Sequence, residues 1–431
     1  MPLVEAETSN LTWEEEQAQY ANEGYRSEQR YRHSSMSEEQ YQGAINAVKK
    51  AYQLTNISFT PLRPIAYNIG TYQPNYSYKG MIYSSVKEIG TYVGNSISFH
   101  TFMTAIHNPR SRIYTDRIDE APYHGKNCRS YYGTVCSSLV SYALGLFPVY
   151  GSFDFASSEE MEELEYSQLD SLHIADVLWR SGHVAIVTNV VRDADDRIVS
   201  IEISEALQNG CKRRSAPRSS FLRSIAPTFK KALRYKDLKS NLFYSSAPEF
   251  VTVLDEEPLP FVYNSDICVD KGDRSCYFVG DKVTLNILSS GDVVEIFKDG
   301  LIYSVIDVTS EDVQLSDLGY GQYQARLIAG GRSSDFTSWF VVDRTIHPSL
   351  EEMKLYFNSE NATPISAFVC DRTGGRISNV TNTICRQFTE EEINSGYMEI
   401  PQERLLTDNP YFIVTFATDF GKISTTPIEW K

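Results

Sequence analysis

Three residues, Cys136, His183 and Glu205, have types and spacings that could do covalent chemistry together. Cys136 opens the run CSSLVSYAL, where Leu139, Val140, Ala143 and Leu144 recur at helical spacing before the glycine and proline of GLFP end it. A thiol in the first turn of a helix faces oriented N–H groups that favour its thiolate. A cysteine beside an apolar helix face is also a common core residue, so the spacing leaves both readings open.

A nucleophilic cysteine needs a base, and the base needs a group to orient it. HVAIVTNVVRDADDRIVSIEISEA contains two β-rich runs around DADD. A hairpin centred on Ala194 sets Val191 against Arg197, Ala185 against Ile203 and His183 against Glu205. Directly opposed residues have Cβ atoms about 5 Å apart and share one face of the sheet, which makes an imidazole–carboxylate pair. A slip of one residue puts Ser204 opposite His183 and turns Glu205 away. The competing reading is a strand-edge histidine beside an incidental surface glutamate.

Other elements must position these groups. Residues 12–54 read as helical, with Ser37 and Gln40 forming a capping box and Tyr41, Ile45, Val48 and Tyr52 one apolar stripe. Residues 55–130 read as loop-rich with short strands. The acidic stretch SSEEMEELEYSQL reads as a helix with glutamates at its N-terminus. CKRRSAPRSSFLRSIAPTFKKALRYK reads as an irregular piece with scattered surface charge. SSAPEFVTVLDEEPLP is an acidic, Pro-containing linker. Short strands at regular spacing follow: KVTLNIL, VVEIFKDG, LIYSVIDV, YQARLIA and WFVVD, and then KLYFNS, ISAFVC, YFIVTFAT and TPIEW. That texture predicts two β-sandwiches. LGYGQYQARL carries the Tyr-x-Ala pattern of a strand leaving a sandwich corner.

The formal net charge is −16 and the chain holds no long Lys/Arg cluster, which argues against nucleic acid as a partner. No apolar run reaches the roughly 18 residues that span a bilayer. The start, MPLVEAETSNLTWEEE, lacks a basic segment followed by an apolar one, so the chain is expected to be either cytosolic or exported with its signal removed. Seven cysteines allow local bridges Cys268–Cys276 and Cys370–Cys385 and a longer one, Cys128–Cys211; an all-reduced set is the alternative. His100 and His107, seven apart without matching acidic or thiol partners, make a weak zinc motif, and no metal is expected.

CSSLVSYAL followed by ADVLWRSGHVAIV resembles the NlpC-type papain-like cysteine peptidases of bacterial cell-wall turnover, and GHVAIV with its later SE pair is similar to the CHAP-type amidases. The resemblance covers about 130–207. It implies Cys136 as nucleophile, His183 as base and Glu205 as the residue holding the imidazole. KGMIYSS resembles the family's tyrosine-bearing segment, so Tyr83, with Tyr132 as alternative, is implied at the oxyanion site. Asp176 and Trp179 match the GD segment, with Trp179 in the substrate-binding set and turn or core roles as the other reading. Val135 and Ser138 depart from the family's aspartate and glycine, and Ser138 is expected to crowd the helix packing or the groove. An insertion at about 86–130 is a candidate lid.

The resemblance implies an α+β fold, with a helix bearing the cysteine packed on an antiparallel sheet, followed by two all-β Ig-like sandwiches. The expected domains are an N-terminal helical segment (1–54), the catalytic domain (55–247) and sandwiches at 248–345 and 346–431. The implied function is hydrolysis of amide bonds in peptidoglycan stem peptides, without a cofactor, in an extracytoplasmic location. The sandwiches are candidate tethers to a surface or glycan. Two other readings use the same residues: an inactive papain-like domain that binds wall peptides or glycans, and a related hydrolase acting on another amide or acyl substrate.

Overall fold

The computed structural model describes residues 24–67, 69–84, 92–119, 121, 123–127, 132–146, 149–165, 169–238, 261–343, 346–349, 352–358, 362–370, 385–400 and 411–429. The chain is mostly β-sheet and divides into two compact units. Unit 1 comprises Met1–Ser58, Lys79–Tyr83 and Thr134–Pro260; unit 2 comprises Phe59–Tyr78, Ser84–Gly133 and Phe261–Lys431. The linear division expected from sequence is therefore redrawn, because 59–78 and most of the insertion belong with the sandwiches. No helix among the described residues is long and apolar enough to cross a membrane.

Unit 1 is built on one antiparallel sheet. Its strands are β1 (Arg26–Ser27), β2 (Met161–Leu164), β3 (Val177–Arg180), β4 (His183–Arg192), β5 (Ile198–Leu207), β6 (Gly210–Pro217) and β7 (Lys231–Tyr235). They lie in the order β6-β5-β4-β3-β7-β2, and β1 pairs with the far end of β4. Leu178, Ala185, Val187, Ile201 and Ile203 share a core with Phe221 and Phe229 from the segment that follows β6.

The helix expected over 12–54 begins only at Glu38 and runs to Asn56; residues 1–23 lie outside the described residues. Its capping box forms as the spacing predicts, with Gln40 N–H donating to Ser37 Oγ (3.1 Å) and Ser37 N–H to Gln40 Oε1 (3.0 Å). Ile45, Val48 and Tyr52 are buried, and the Tyr52 hydroxyl donates to Glu202 on β5 (2.6 Å). The acidic stretch expected to be helical is instead partly β2. Glu162 and Glu163 pair across the ladder with Arg234 and Leu233, and Lys231 reaches Glu163 (2.6 Å). Charged side chains suit this strand, which lies at the edge of the sheet among the described residues. The linker SSAPEFVTVLDEEPLP (245–260) lies outside the described residues.

Unit 2 holds two sandwiches. In the first, the sheet of Ile267–Val269, Val283–Ile287 and Asp312–Leu315 faces one containing Val293–Lys298, Gly321–Ala329 and Thr337–Val342. Leu285 and Val313 from one sheet share a core with Val294, Tyr323 and Trp339 from the other. The second sandwich encloses Leu355, Met398, Ala367, Phe412 and Val414. Every strand segment expected from the C-terminal texture contributes to one of these sheets.

The insertion is built into unit 2 rather than hanging free as a lid. Its helix, Phe99–His107, is pinned by His100 to Asp273 (2.7 Å) and by Thr101 Oγ1 to the Asp273 carbonyl (2.9 Å). Arg112 donates to the Asp270 carboxylate (2.7 Å), and Arg110 pairs with Glu311 (2.7 Å). Gly272 approaches this helix so closely that a Cβ there would stand 2.3 Å from the Thr101 carbonyl oxygen. Cys268 and Cys276 are free thiols and do not form the expected local bridge. Cys276 Sγ instead lies 3.2 Å from the Thr418 hydroxyl. Cys211 is also free; its expected partner Cys128 lies outside the described residues.

Candidate active site

The cysteine helix spans Cys136–Leu144 and ends at Gly145, whose left-handed conformation (φ 72°) lets its N–H return to the last turn. Leu139, Val140, Ala143 and Leu144 are buried, each large one stabilising by about 1.5–3 kcal/mol, and they pack the helix against Glu38–Asn56 and β4. Val135 is extended at the N-cap and its side chain offers nothing to the orphan N–H groups. Ser138 compensates: its Oγ accepts from Val135 N–H (3.0 Å) and also meets the Thr134 hydroxyl. The hydroxyl expected to crowd packing or groove thus turns back as half of a capping box, fully buried.

The segment before the helix is held by a short parallel bridge between Tyr83 and Thr134, and Thr134 N–H donates to the Ile82 carbonyl (2.9 Å). Tyr83 therefore runs beside the chain two residues before Cys136. Two residues before Tyr83, the Met81 carbonyl accepts from Cys211 N–H (2.9 Å). Burial, with Cys136 nearby, pushes the Cys211 thiol well above its ordinary range.

His183 is the first residue of β4 and its ring stacks on Phe229 with centroids 5.9 Å apart. Its Nε2 lies 2.8 Å from Glu205 Oε2, and Cys136 is among the groups that act on the imidazole electrostatically. Burial alone would lower the imidazole, but Cys136 and Glu205 outweigh it and hold His183 at about 9. Glu205 is almost fully buried. Burial raises its carboxyl, while His183 and the Arg214 guanidinium on its other oxygen together pull it below the ordinary range.

The hairpin that brings His183 to Glu205 differs in register from the one expected. It is centred on Asp195, not Ala194: Asp193 N–H bonds the Arg197 carbonyl (3.0 Å), and the Asp193 carboxylate accepts from Asp195 and Arg197 N–H. Ile203 pairs with Val187 rather than Ala185, Val191 pairs with Ser200 rather than Arg197, and bulges interrupt the ladder at two points. Near the site the shift is two residues, which keeps every side chain on its expected face. His183 and Glu205 meet for that reason.

Two other expected site residues are committed elsewhere. Tyr132 belongs to unit 2, where it is buried and its hydroxyl donates to the Lys271 carbonyl (3.0 Å). Trp179 lies on β3 and its indole N–H donates to the Ser152 carbonyl (2.6 Å). Asp176 is a core residue: fully buried, it takes two bonds from Arg234 (2.8 and 2.7 Å) and one from His173 N–H (2.7 Å). Arg214 was not anticipated, since the basic piece read as irregular is in part the strand β6, and nothing in its pattern marks one arginine for Glu205.

Among the described residues, Glu28, His33 and His173 bring possible ligand atoms within 4.8 Å of one another. Arg192 already donates to Glu28 (2.6 Å) and His33 Nε2 lies 3.1 Å from Asp196. A guanidinium therefore supplies the positive charge at this carboxylate, and the group ties 26–35 to β4. His100 and His107 also have separate partners, Asp273 and the Met103 carbonyl.

No protein-family model matches the chain, and no curated protein does. Solved structures similar to parts of it include fibronectin(III)-like modules of Clostridium thermocellum CbhA (14% identity, 38% of this chain and 90% of that one, TM-score 0.18). A β-glycosidase from Bacteroides vulgatus aligns at 12% identity over 35% of this chain and 22% of that one, with a TM-score of 0.14. The N-terminal Ig1-2 module of the Drosophila receptor protein tyrosine phosphatase DLAR aligns at 8% identity over 38% of this chain and 97% of that one, with a TM-score of 0.15.

Proposed function

We propose that unit 1 is a papain-like, NlpC-type cysteine hydrolase that cleaves amide bonds in peptidoglycan stem peptides. The observation that carries this reading is the buried His183 Nε2 2.8 Å from Glu205 Oε2, with Cys136 among the groups that raise the imidazole. In this mechanism Cys136 Sγ, its proton already held by His183, attacks the amide carbonyl as the thiolate, forming a C–S bond. The Cys136 backbone N–H, at the start of its helix, and the Tyr83 hydroxyl stabilise the oxyanion. Collapse breaks the C–N bond as His183 protonates the leaving amine. Water, deprotonated by His183, then hydrolyses the thioester and returns the thiol. Glu205, fixed by Arg214, orients the imidazole throughout.

The sandwiches of unit 2 suit an Ig-like role as spacers or surface tethers. The Tyr323 hydroxyl donates to the Gly319 carbonyl (2.9 Å), the local geometry of a tyrosine corner, and its ring stacks on Trp339. An extracytoplasmic location follows from the substrate alone. The free thiols Cys211, Cys268 and Cys276 favour a second reading, a related hydrolase acting on another amide or acyl substrate in a reducing compartment. A third reading, a binding protein without catalysis, draws on Cys136 being only 7% exposed.

Digesting purified muropeptides with the wild type and with Cys136→Ala, read by mass spectrometry, separates these. A product made only by the wild type supports the peptidase and locates the bond. Tight binding by both without cleavage replaces it with the binding protein.

A further inference from the structure

Unit 2 contains a cavity of about 390 Å³ that the proposed hydrolysis does not use. Its size falls within the roughly 300–1,000 Å³ typical of small-molecule sites. Apolar wall is supplied by Phe278, Ile346, Phe420 and Ile423, and the charged lining is Lys271, Arg274 and Lys422 against one carboxylate, Asp281. That carboxylate is turned to a backbone N–H, that of Phe278 (2.9 Å). Lys271 is almost fully buried, with its ammonium 4.1 Å from the centre of the Tyr277 ring. Burial pushes the Lys422 ammonium down to about 8.

A second observation is independent of charge. Ser96 is 5% exposed, lines the cavity, and its Oγ has no hydrogen-bond partner. A buried hydroxyl left so is costly unless something in the cavity meets it. The wall around it is preformed: Lys422 N–H donates to the Ser96 carbonyl (3.0 Å), and Gly421 (φ 141°) allows an approach in which a Cβ would stand 3.0 Å from that oxygen. Ser98 and Thr101, in the first turn and cap of helix Phe99–His107, complete this end and bring the positive end of the helix dipole to the cavity.

We propose that this cavity binds a small organic anion, its carboxylate or phosphate group held by Lys422, Arg274 and the Ser96 hydroxyl and its apolar body lying against Phe420 and Ile423. The test is calorimetric titration of the full chain with phenylacetate, with inorganic phosphate, and with the neutral isostere phenylacetamide. Saturable binding of either anion, with phenylacetamide much weaker, is expected, and which anion binds identifies the headgroup. Lys422→Met should weaken it at least about tenfold, the size of one charge-assisted hydrogen bond. Arg274→Gln, at a half-exposed position that does not threaten folding, should weaken it in the same direction. Failure of both anions to bind, equal binding of phenylacetamide, or wild-type affinity in folded Lys422→Met or in Arg274→Gln would overturn the site.

Discussion

His183 Nε2 stands 2.8 Å from Glu205 Oε2, and the other oxygen of that carboxylate meets the Arg214 guanidinium. The imidazole is thus held by an anion that is itself held by a cation, and only Arg214 of the three reaches solvent appreciably. This arrangement bears on how each group responds to substitution.

Glu205→Gln keeps the shape of the acceptor and removes its charge. The imidazolium loses its counter-ion and Arg214 loses its partner. We expect kcat/KM to fall by about two orders of magnitude, within the range for disturbing general acid–base catalysis, with a smaller loss in Tm. Steady-state kinetics beside a melting curve check this; unchanged kinetics would remove Glu205 from the relay.

The His183 imidazole is held at about 9, above its ordinary 6.5, because Cys136 and Glu205 outweigh burial. Stability from a raised group is fully present below the unfolded value and is lost as pH rises through the folded one. Tm should therefore decline between about pH 6.5 and 9. The decline should be shallower in His183→Gln, and equal slopes would show that His183 does not carry it.

Ser138→Ala removes the hydroxyl that receives Val135 N–H at the start of the cysteine helix. The expected cost is about 1 kcal/mol of stability, the usual value of a lost helix cap. Denaturant titration measures it. Because the hydroxyl faces Thr134 and Val135, activity of the folded variant should stay near wild type.

Asp176→Ala leaves Arg234 without its two-bond partner in a buried setting. About 3 kcal/mol or more of stability should be lost, as for other broken buried pairs, while Cys136 keeps its reactivity in the folded fraction. A melting curve combined with thiol titration distinguishes this structural role from a catalytic one.

Local signals were readable in the sequence where one segment carried the whole pattern. Ser37 and Gln40 cap their helix from three residues apart, and the run from Cys136 announces both its start and its glycine stop. The His183–Glu205 pair was readable although its turn was misplaced, because strand alternation tolerates a two-residue shift. Bulges that lengthen the turn leave no mark in the hydrophobic pattern. Arg214, and the bonds from His100, Arg110 and Arg112 that draw the insertion into unit 2, depend on partners more than 150 residues away or on an adjacent strand, which periodicity does not encode. The glutamates of 159–163 illustrate the opposite failure, since an edge strand and a solvated helix start favour the same residues.

The central claim is that Cys136 is a nucleophile activated by His183, and the most direct measurement is the rate of iodoacetamide labelling of each thiol at neutral pH, mapped by peptide mass spectrometry. The account predicts that Cys136 is labelled well ahead of Cys211 and Cys268, and that His183→Ala removes this lead. Labelling of Cys136 as slow as that of the buried Cys211, in the folded wild type, would contradict it.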